Sequence, residues 1–167
     1  MAGAIHLHGV LHGTMPDFRS LMQTQAMSKA DVQCVLLADS HHGLSEGVRS
    51  LLATAFDAVV MVADEVSLFE SAGRLQSDLA VVDLALSRGN GLELVRRLRG
   101  RFPEMKLIIV SVHDQPSVSR SVLDAGANGF VVKRAIATDL LAATDAVLAG
   151  QCYVSPDIGR QRTPGAT

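Results

Sequence analysis

The feature that most constrains this chain is a run of short apolar segments alternating with stretches of helical periodicity, four of them ending on a residue capable of chemistry. Asp39 closes Val35-Leu36-Leu37-Ala38, Asp83 closes Leu79-Ala80-Val81-Val82, Ser111 follows Leu107-Ile108-Ile109-Val110, and Lys133 closes Phe130-Val131-Val132. Segments this short, apolar at successive positions, read as strands of a parallel sheet buried on both faces. Ligands of open parallel sheets collect at the carboxyl ends of the strands. Two acids, a hydroxyl and an amine at four such ends therefore describe a site.

Strands are expected near 34–39, 58–64, 78–83, 106–111 and 129–133. Between and after them, 44–55, 66–76, 92–100, 116–125 and 138–149 carry apolar residues at intervals of three and four, as helices packed on a sheet do. Gly91 is read as preceding the third helix, Gly100 and Pro103 as ending it, and Gly126 as ending the fourth. Five βα units with short connections imply right-handed crossovers and helices on both faces. The expectation is a flavodoxin-like (βα)5 α/β fold, a five-stranded parallel sheet in the order 2-1-3-4-5, with the ends of strands one, three, four and five around one crevice. The folded domain is placed at 32–155, with 1–31 as a flexible N-terminal extension and 156–167 as a C-terminal linker stub. The extension is rich in His, Gly, Met and Gln and has room for one helix near 18–27. Its His6, His8 and His12 lack a Cys or acid to complete a zinc set and read as a His-bearing tail.

The 167 residues suit one domain with a sizeable core. No apolar run approaches the roughly 18–20 residues needed to cross a bilayer. A net charge of −2 without a basic tract lacks the electrostatic footprint of a nucleic-acid-binding domain, so no DNA binding by this chain is expected. Cys34 and Cys152 show neither a CxxC pair nor metal-ligand spacing and read as reduced thiols. No secretion signal is read at the N-terminus, and a cytoplasmic location fits both observations.

In order along the chain come Leu36-Leu37-Ala38-Asp39-Ser40-His41, Val82-Asp83-Leu84 followed by Gly89-Asn90-Gly91-Leu92-Glu93, Val110-Ser111-Val112, and Ala125-Gly126-Ala127-Asn128-Gly129-Phe130-Val131-Val132-Lys133. From Cys34 to Ser155 this pattern resembles the response-regulator receiver domain of two-component systems, of the NarL/FixJ (LuxR-type) family. The resemblance implies phosphoryl transfer to an aspartate. A carboxylate nucleophile forms an acyl phosphate while charge builds on the transferring oxygens, which calls for a divalent cation held by hard oxygen ligands. By matching position Asp83 is the phosphoacceptor, Asp39 the metal-binding acid, and the Ala85 carbonyl a further ligand for Mg2+ or Mn2+. Lys133 and Ser111 are implied to contact phosphoryl oxygens. Phe130 matches the aromatic switch residue, implied to rotate inward when the Ser111 hydroxyl moves toward the phosphoryl group. Each residue alone has an ordinary alternative: a helix cap for Asp39, a snorkelling surface lysine for Lys133, a turn for Ser111, a core aromatic for Phe130.

Three positions depart from the family pattern. Ser40 stands where a second acid normally contacts the metal, so weakened cation binding is expected. Ser87 replaces a common proline after the nucleophile. Arg134 follows Lys133 where many receivers have proline, and a trans peptide is expected there. Arg96, Arg97, Arg99 and Arg101 crowd the end of the third helix, which solvation and the helix C-terminus explain.

The implied function is a phosphoacceptor switch and not an enzyme, served by a sensor histidine kinase and pairing as a homodimer through its first and fifth helices. The last helix carries Leu140, Leu141, Val147 and Leu148, more aliphatics than one buried stripe needs. The family usually continues into a LuxR-type DNA-binding domain, absent from this chain, which is either part of a transcription regulator or a stand-alone receiver. One alternative is a degenerate receiver acting as a phosphorylation-independent interaction module, prompted by Ser40. Another, a small flavodoxin-like or hydrolytic enzyme, is disfavoured because no G-x-S-x-G elbow, P-loop or G-x-G-x-x-G is read.

Overall fold

The computed structural model describes residues 34–159. The expectations for 1–31, including the helix near 18–27 and the three tail histidines, and those for the last residues of the linker stub lie outside the described residues. The element order is β1 (Cys34–Ala38), α1 (His42–Leu52), β2 (Ala58–Val62), α2 (Glu65–Leu75), β3 (Leu79–Asp83), α3 (Gly91–Arg101), β4 (Lys106–Ser111), α4 (Pro116–Asp124), β5 (Gly129–Val132), α5 (Ile136–Leu148) and β6 (Tyr153–Val154). Single 3-10 turns, Leu84–Leu86 and Lys133–Ala135, follow β3 and β5.

All six strands are parallel, in the order β2-β1-β3-β4-β5-β6. The five-stranded sheet expected from sequence is therefore present with one strand added at its β5 edge. The addition escaped the sequence because β6 has two residues, too few for any periodicity, and follows Gly150, whose φ of 83° turns the chain out of α5. It pairs Gly129 with Tyr153 and Phe130 with Val154.

Strand residues alternate between faces, which divides the core in two. Leu36, Ala80, Val82, Leu107, Ile109 and Phe130 pack with Leu68 of α2, Leu94 and Leu98 of α3, and Val122 of α4. Val35, Leu37, Leu79, Val81, Ile108 and Val131 pack with Val48 and Leu52 of α1 and Leu140, Ala143 and Val147 of α5. The central strands β1, β3, β4 and β5 are consequently apolar on both faces, the property that made them legible. Edge strand β2 is only half-buried over most of its length.

Local chemistry starts and stops the helices. Asp64 caps α2, its Oδ1 accepting from the Ser67 amide at 2.8 Å. Two amide bonds and the Ser67 hydroxyl hold that carboxyl below the usual range. Pro116 opens α4 at a position where a missing N–H costs nothing. Gly126, two residues past the end of α4, takes φ 118°, and a Cβ there would stand 2.7 Å from Arg99 Cγ. Gly100, expected to end α3, lies inside it: the helix continues to Arg101 and stops where Phe102 leaves helical geometry. Among the described residues no helix is long and apolar enough to cross a membrane.

Candidate functional site

The same local device ends three strands at the carboxyl edge of the sheet. Asp39 Oδ1 accepts from the His41 amide at 2.9 Å, Asp83 Oδ1 from the Ala85 amide at 2.9 Å, and Ser111 Oγ from the His113 amide at 3.1 Å. Each is a side chain bonded to the backbone two residues on, a turn that Asp and Ser make readily. The turn fixes the side chain and redirects the chain out of the sheet. The ordinary reading of Ser111 as a turn-former thus holds together with its place in the crevice, whereas Asp39, whose ordinary reading is a helix cap, makes such a turn instead, the N-cap position of α1 being His41.

The strand-end side chains of the crevice are largely shielded from solvent. Asp39, Asp83 and Ser111 are 9%, 4% and 2% exposed. His41, Asp83, Ala85, Ser111 and Lys133 line one pocket, with Gly89 and Gly91 in its wall. Gly91 is required by space: a Cβ there would lie 2.6 Å from the Leu84 carbonyl oxygen, directly against the turn that carries the residues after Asp83. Lys133, whose side chain is 14% exposed, donates from Nζ to Asp83 Oδ2 at 2.5 Å. Both Asp83 oxygens are therefore held, one by an amide and one by an ammonium. Charges so placed have little water around them, and Coulombic terms exceed their values at a surface.

A cation suits this donor set. Asp39, Asp83 and His41 each offer one ligand atom, and the three atoms lie within 4.8 Å of one another. Two carboxylates against one lysine leave an excess negative charge that a divalent ion would balance. Ala85 lines the same pocket.

The structure brings together five of the six site residues read from sequence, Asp39, Asp83, Ala85, Ser111 and Lys133. Phe130 is set apart, fully buried in the core beneath them, on the sheet face shared by Ile109, Ser111 and Val132. The Lys133–Arg134 peptide is trans. Arg134 bridges Asp114 Oδ2 at 2.7 Å and the Asp157 carbonyl at 3.0 Å, joining the loop after β4 to the turn after β6.

Sequence reasoning gave His41 no role. Its Nδ1 lies 3.3 Å from Asp39 Oδ1 and 3.8 Å from Asp83 Oδ2. The available signal was its place two residues after a strand-end acid, on the lip of the crevice. A second omission concerns Gly43-Leu44-Ser45-Glu46-Gly47, which does spell G-x-S-x-G. It is not a nucleophile elbow, which sits on a sharp strand-to-helix turn with its serine presented. Ser45 lies within α1, is 1% exposed and donates to the His41 carbonyl at 2.7 Å.

Comparison with known proteins agrees with this geometry. Residues 35–145 match the response regulator receiver domain model. The chain is 35% identical over 135 residues to the transcriptional regulatory protein UhpA of Salmonella typhimurium, covering 78% of this chain and 66% of that protein. It is 30% identical over 126 residues to DegU of Brevibacillus brevis, covering 74% and 53%. The chain thus spans between about half and two thirds of the length of these relatives. Among solved structures, a LuxR-family two-component response regulator from Aurantimonas sp. SI85-9A1 superposes with a TM-score of 0.70 at 28% identity, over 77% of this chain and 93% of that one. With the strand-end acids, hydroxyl and lysine in one crevice, the chain belongs to the response regulator receiver domain family, its homologues lying among the NarL/FixJ/LuxR-type two-component regulators.

Proposed function

We propose that Asp83 accepts a phosphoryl group from a sensor histidine kinase, and that this receiver serves a transcription regulator whose LuxR-type DNA-binding domain is not within this chain. The observation that carries the reading is Asp83 itself: a buried strand-end carboxylate with one oxygen fixed by Ala85 N–H, the other on Lys133, and Asp39 across the crevice. Attack by an Asp83 oxygen forms a P–O bond as the bond from phosphorus to the donor nitrogen breaks, the donor imidazole leaving with the electron pair. Lys133, paired with Asp83 Oδ2 at rest, follows the charge onto a phosphoryl oxygen. The Ser111 hydroxyl, which already accepts from His113 N–H, turns to donate to another phosphoryl oxygen. Asp39, Asp83 and the Ala85 carbonyl would hold Mg2+ or Mn2+, which when bound neutralises charge on the transferring oxygens. With Ser40 in place of an acid the ion is held weakly. Water later cleaves the acyl phosphate and returns the carboxylate, so the protein is a switch and not a catalyst of turnover.

Phe130 is the proposed output element. It is fully buried, and Ile158 of the terminal turn packs against the same cluster, so a change at Ser111 that repositions this ring would be felt there. A kinase partner places the protein in the cytoplasm. A second copy of the chain is the further proposed partner, through α1 and α5.

The test is phosphorylation by a small-molecule phosphodonor with a divalent cation, read by intact mass. One phosphoryl group on the natural chain and none on Asp83→Asn is the expected outcome. Labelling of Asp83→Asn would remove the assignment. No labelling of either would favour the degenerate receiver that Ser40 suggests.

A further inference from the structure

We infer that His41 is a nitrogen ligand in the cation pocket, standing in for the acid that Ser40 replaces and shifting the preferred cation from Mg2+ toward Co2+, Ni2+ and other first-row transition ions. The inference rests on the pocket reading above and adds a fourth protein ligand to Asp39, Asp83 and the Ala85 carbonyl. Ser40 is exposed and has no carboxylate to offer. His41 faces the gap instead: although its side chain is 67% exposed, its Nδ1 lies 3.3 Å from Asp39 Oδ1 and 3.8 Å from Asp83 Oδ2. An ion with bonds of about 2.1 Å puts adjacent ligand atoms about 3.0 Å apart and opposite ones about 4.2 Å apart. Both observed separations fall within that range.

The backbone of His41 is anchored on both sides. Its N–H is spent on Asp39 Oδ1 at 2.9 Å, and its carbonyl accepts from the hydroxyl of Ser45 at 2.7 Å. Ser45 is 1% exposed on the inner side of α1, so this anchor is not a surface contact. The imidazole is thereby carried on a fixed stem at the mouth of the pocket.

Replacing carboxylate oxygen by imidazole nitrogen has a definite chemical consequence. Carboxylate and carbonyl sets suit Mg2+, Ca2+ and Mn2+, whereas imidazole suits Zn2+, Ni2+, Cu2+ and iron, and affinity rises from Mn2+ toward Cu2+. Removing one anionic ligand weakens Mg2+ most, since that ion gains little from nitrogen. Two carboxylates, one carbonyl and one imidazole are a mixed N/O set, with remaining positions left to water and the phosphoryl oxygen.

The test is titration of the full chain with each metal alone, Mg2+, Mn2+, Co2+ and Ni2+, by calorimetry and by the visible absorption of Co2+. His6, His8 and His12 are replaced by alanine throughout so that the tail does not report. Co2+ and Ni2+ are expected to bind at least tenfold tighter than Mg2+. His41→Ala and His41→Asn should each lose at least tenfold in Co2+ affinity and alter the Co2+ absorption, with Mg2+ changing less than about threefold; His42→Ala should bind as the parent does. Asparagine keeps a polar group at the helix start, so folding loss and ligand loss separate. Unchanged Co2+ affinity and spectrum in both His41 variants would overturn the inference, leaving the oxygen pocket standing if Asp39→Asn still abolishes binding. Absence of any cation binding that responds to Asp39→Asn would overturn the pocket reading along with it.

Discussion

Arg99 shows how one side chain can carry structure that its surroundings in sequence disguise. Its Nε donates to the Gly126 carbonyl at 2.8 Å, and its two terminal nitrogens reach the Pro103 and Met105 carbonyls at 2.7 and 2.9 Å and Asn128 Oδ1 at 2.6 Å. Asn128 in turn accepts from the Leu107 amide at 2.9 Å, so the guanidinium ties the end of α3 to the starts of β4 and β5. Burial lowers its pKa from the ordinary arginine value, and Glu104 acts in the opposite direction; it remains charged at neutral pH. The four arginines at the end of α3 do not share one explanation. Arg97 sits 4.8 Å over the Phe69 ring and 2.5 Å from Glu65, and Arg96 makes an exposed pair with Glu93 at 3.6 Å, while Arg99 is a structural hub. Spacing on a helix could not reveal this, because the carbonyls it satisfies come from loops whose path depends on the completed fold. Arg99→Ala is expected to cost about 2–4 kcal/mol, from lost charged hydrogen bonds and carbonyls left unpaired. Arg99→Lys should recover little, having no planar fork. Urea unfolding of the three proteins checks both statements, and a loss below about 0.5 kcal/mol for alanine would show that water satisfies these carbonyls.

At the scale of elements, β6 and the turn behind it are where sequence was least informative and side-chain chemistry most so. Ser155, 2% exposed, accepts from the Val132 amide at 3.1 Å and donates to Asp139 Oδ2 at 2.6 Å, pinning the strand's exit to β5 and α5. Gly159 N–H then bonds the Asp114 carbonyl at 2.9 Å. The strands β1, β3, β4 and β5 announced themselves by apolarity on both faces, whereas this segment is held by a serine and backbone groups that leave no hydropathy pattern. Tyr153 gives a direct probe of it. Burial raises the pKa of its phenol above the ordinary value, and the neighbouring Asp139 charge raises it further. A raised folded-state pKa contributes stability that is fully present below the unfolded pKa of about 10 and is lost as pH rises through the folded value. Tyr153 is the single tyrosine of the chain, so phenolate absorbance reports on it alone. Its midpoint in the folded protein is expected above that in urea, and Asp139→Asn should lower it partway. Equal folded and unfolded midpoints would mean that β6 leaves the sheet in solution.

For the molecule as a whole, the sequence made the site legible because parallel topology gathers strand ends, so residues far apart in the chain became neighbours by rule. His41 was missed because its role depends on a side-chain direction that topology leaves open. The same limit applies to the outer surface of α5. Of the four aliphatics that suggested an interface, Leu140 and Val147 are fully or almost fully buried in the core, leaving Leu141 and Leu148 half-buried. Leu44 of α1, 38% exposed, adds a further apolar group on the first of the two helices. A pair formed by these helices would be twofold and isologous, so each apolar group meets the same surface of the second copy. With so few groups outside the core, association of the resting chain is expected to be weak and concentration-dependent. Phosphate on Asp83 should strengthen it if Ser111 and Phe130 pass the change to α5 through β5, against which α5 packs. Sedimentation of the natural chain with and without a phosphodonor measures this, and Leu141→Glu should hold the protein monomeric in both conditions by placing a charge where an apolar contact is needed. An unchanged association for Leu141→Glu would move the interface elsewhere, and a monomer in all conditions at high concentration would show that α1 and α5 serve the core alone.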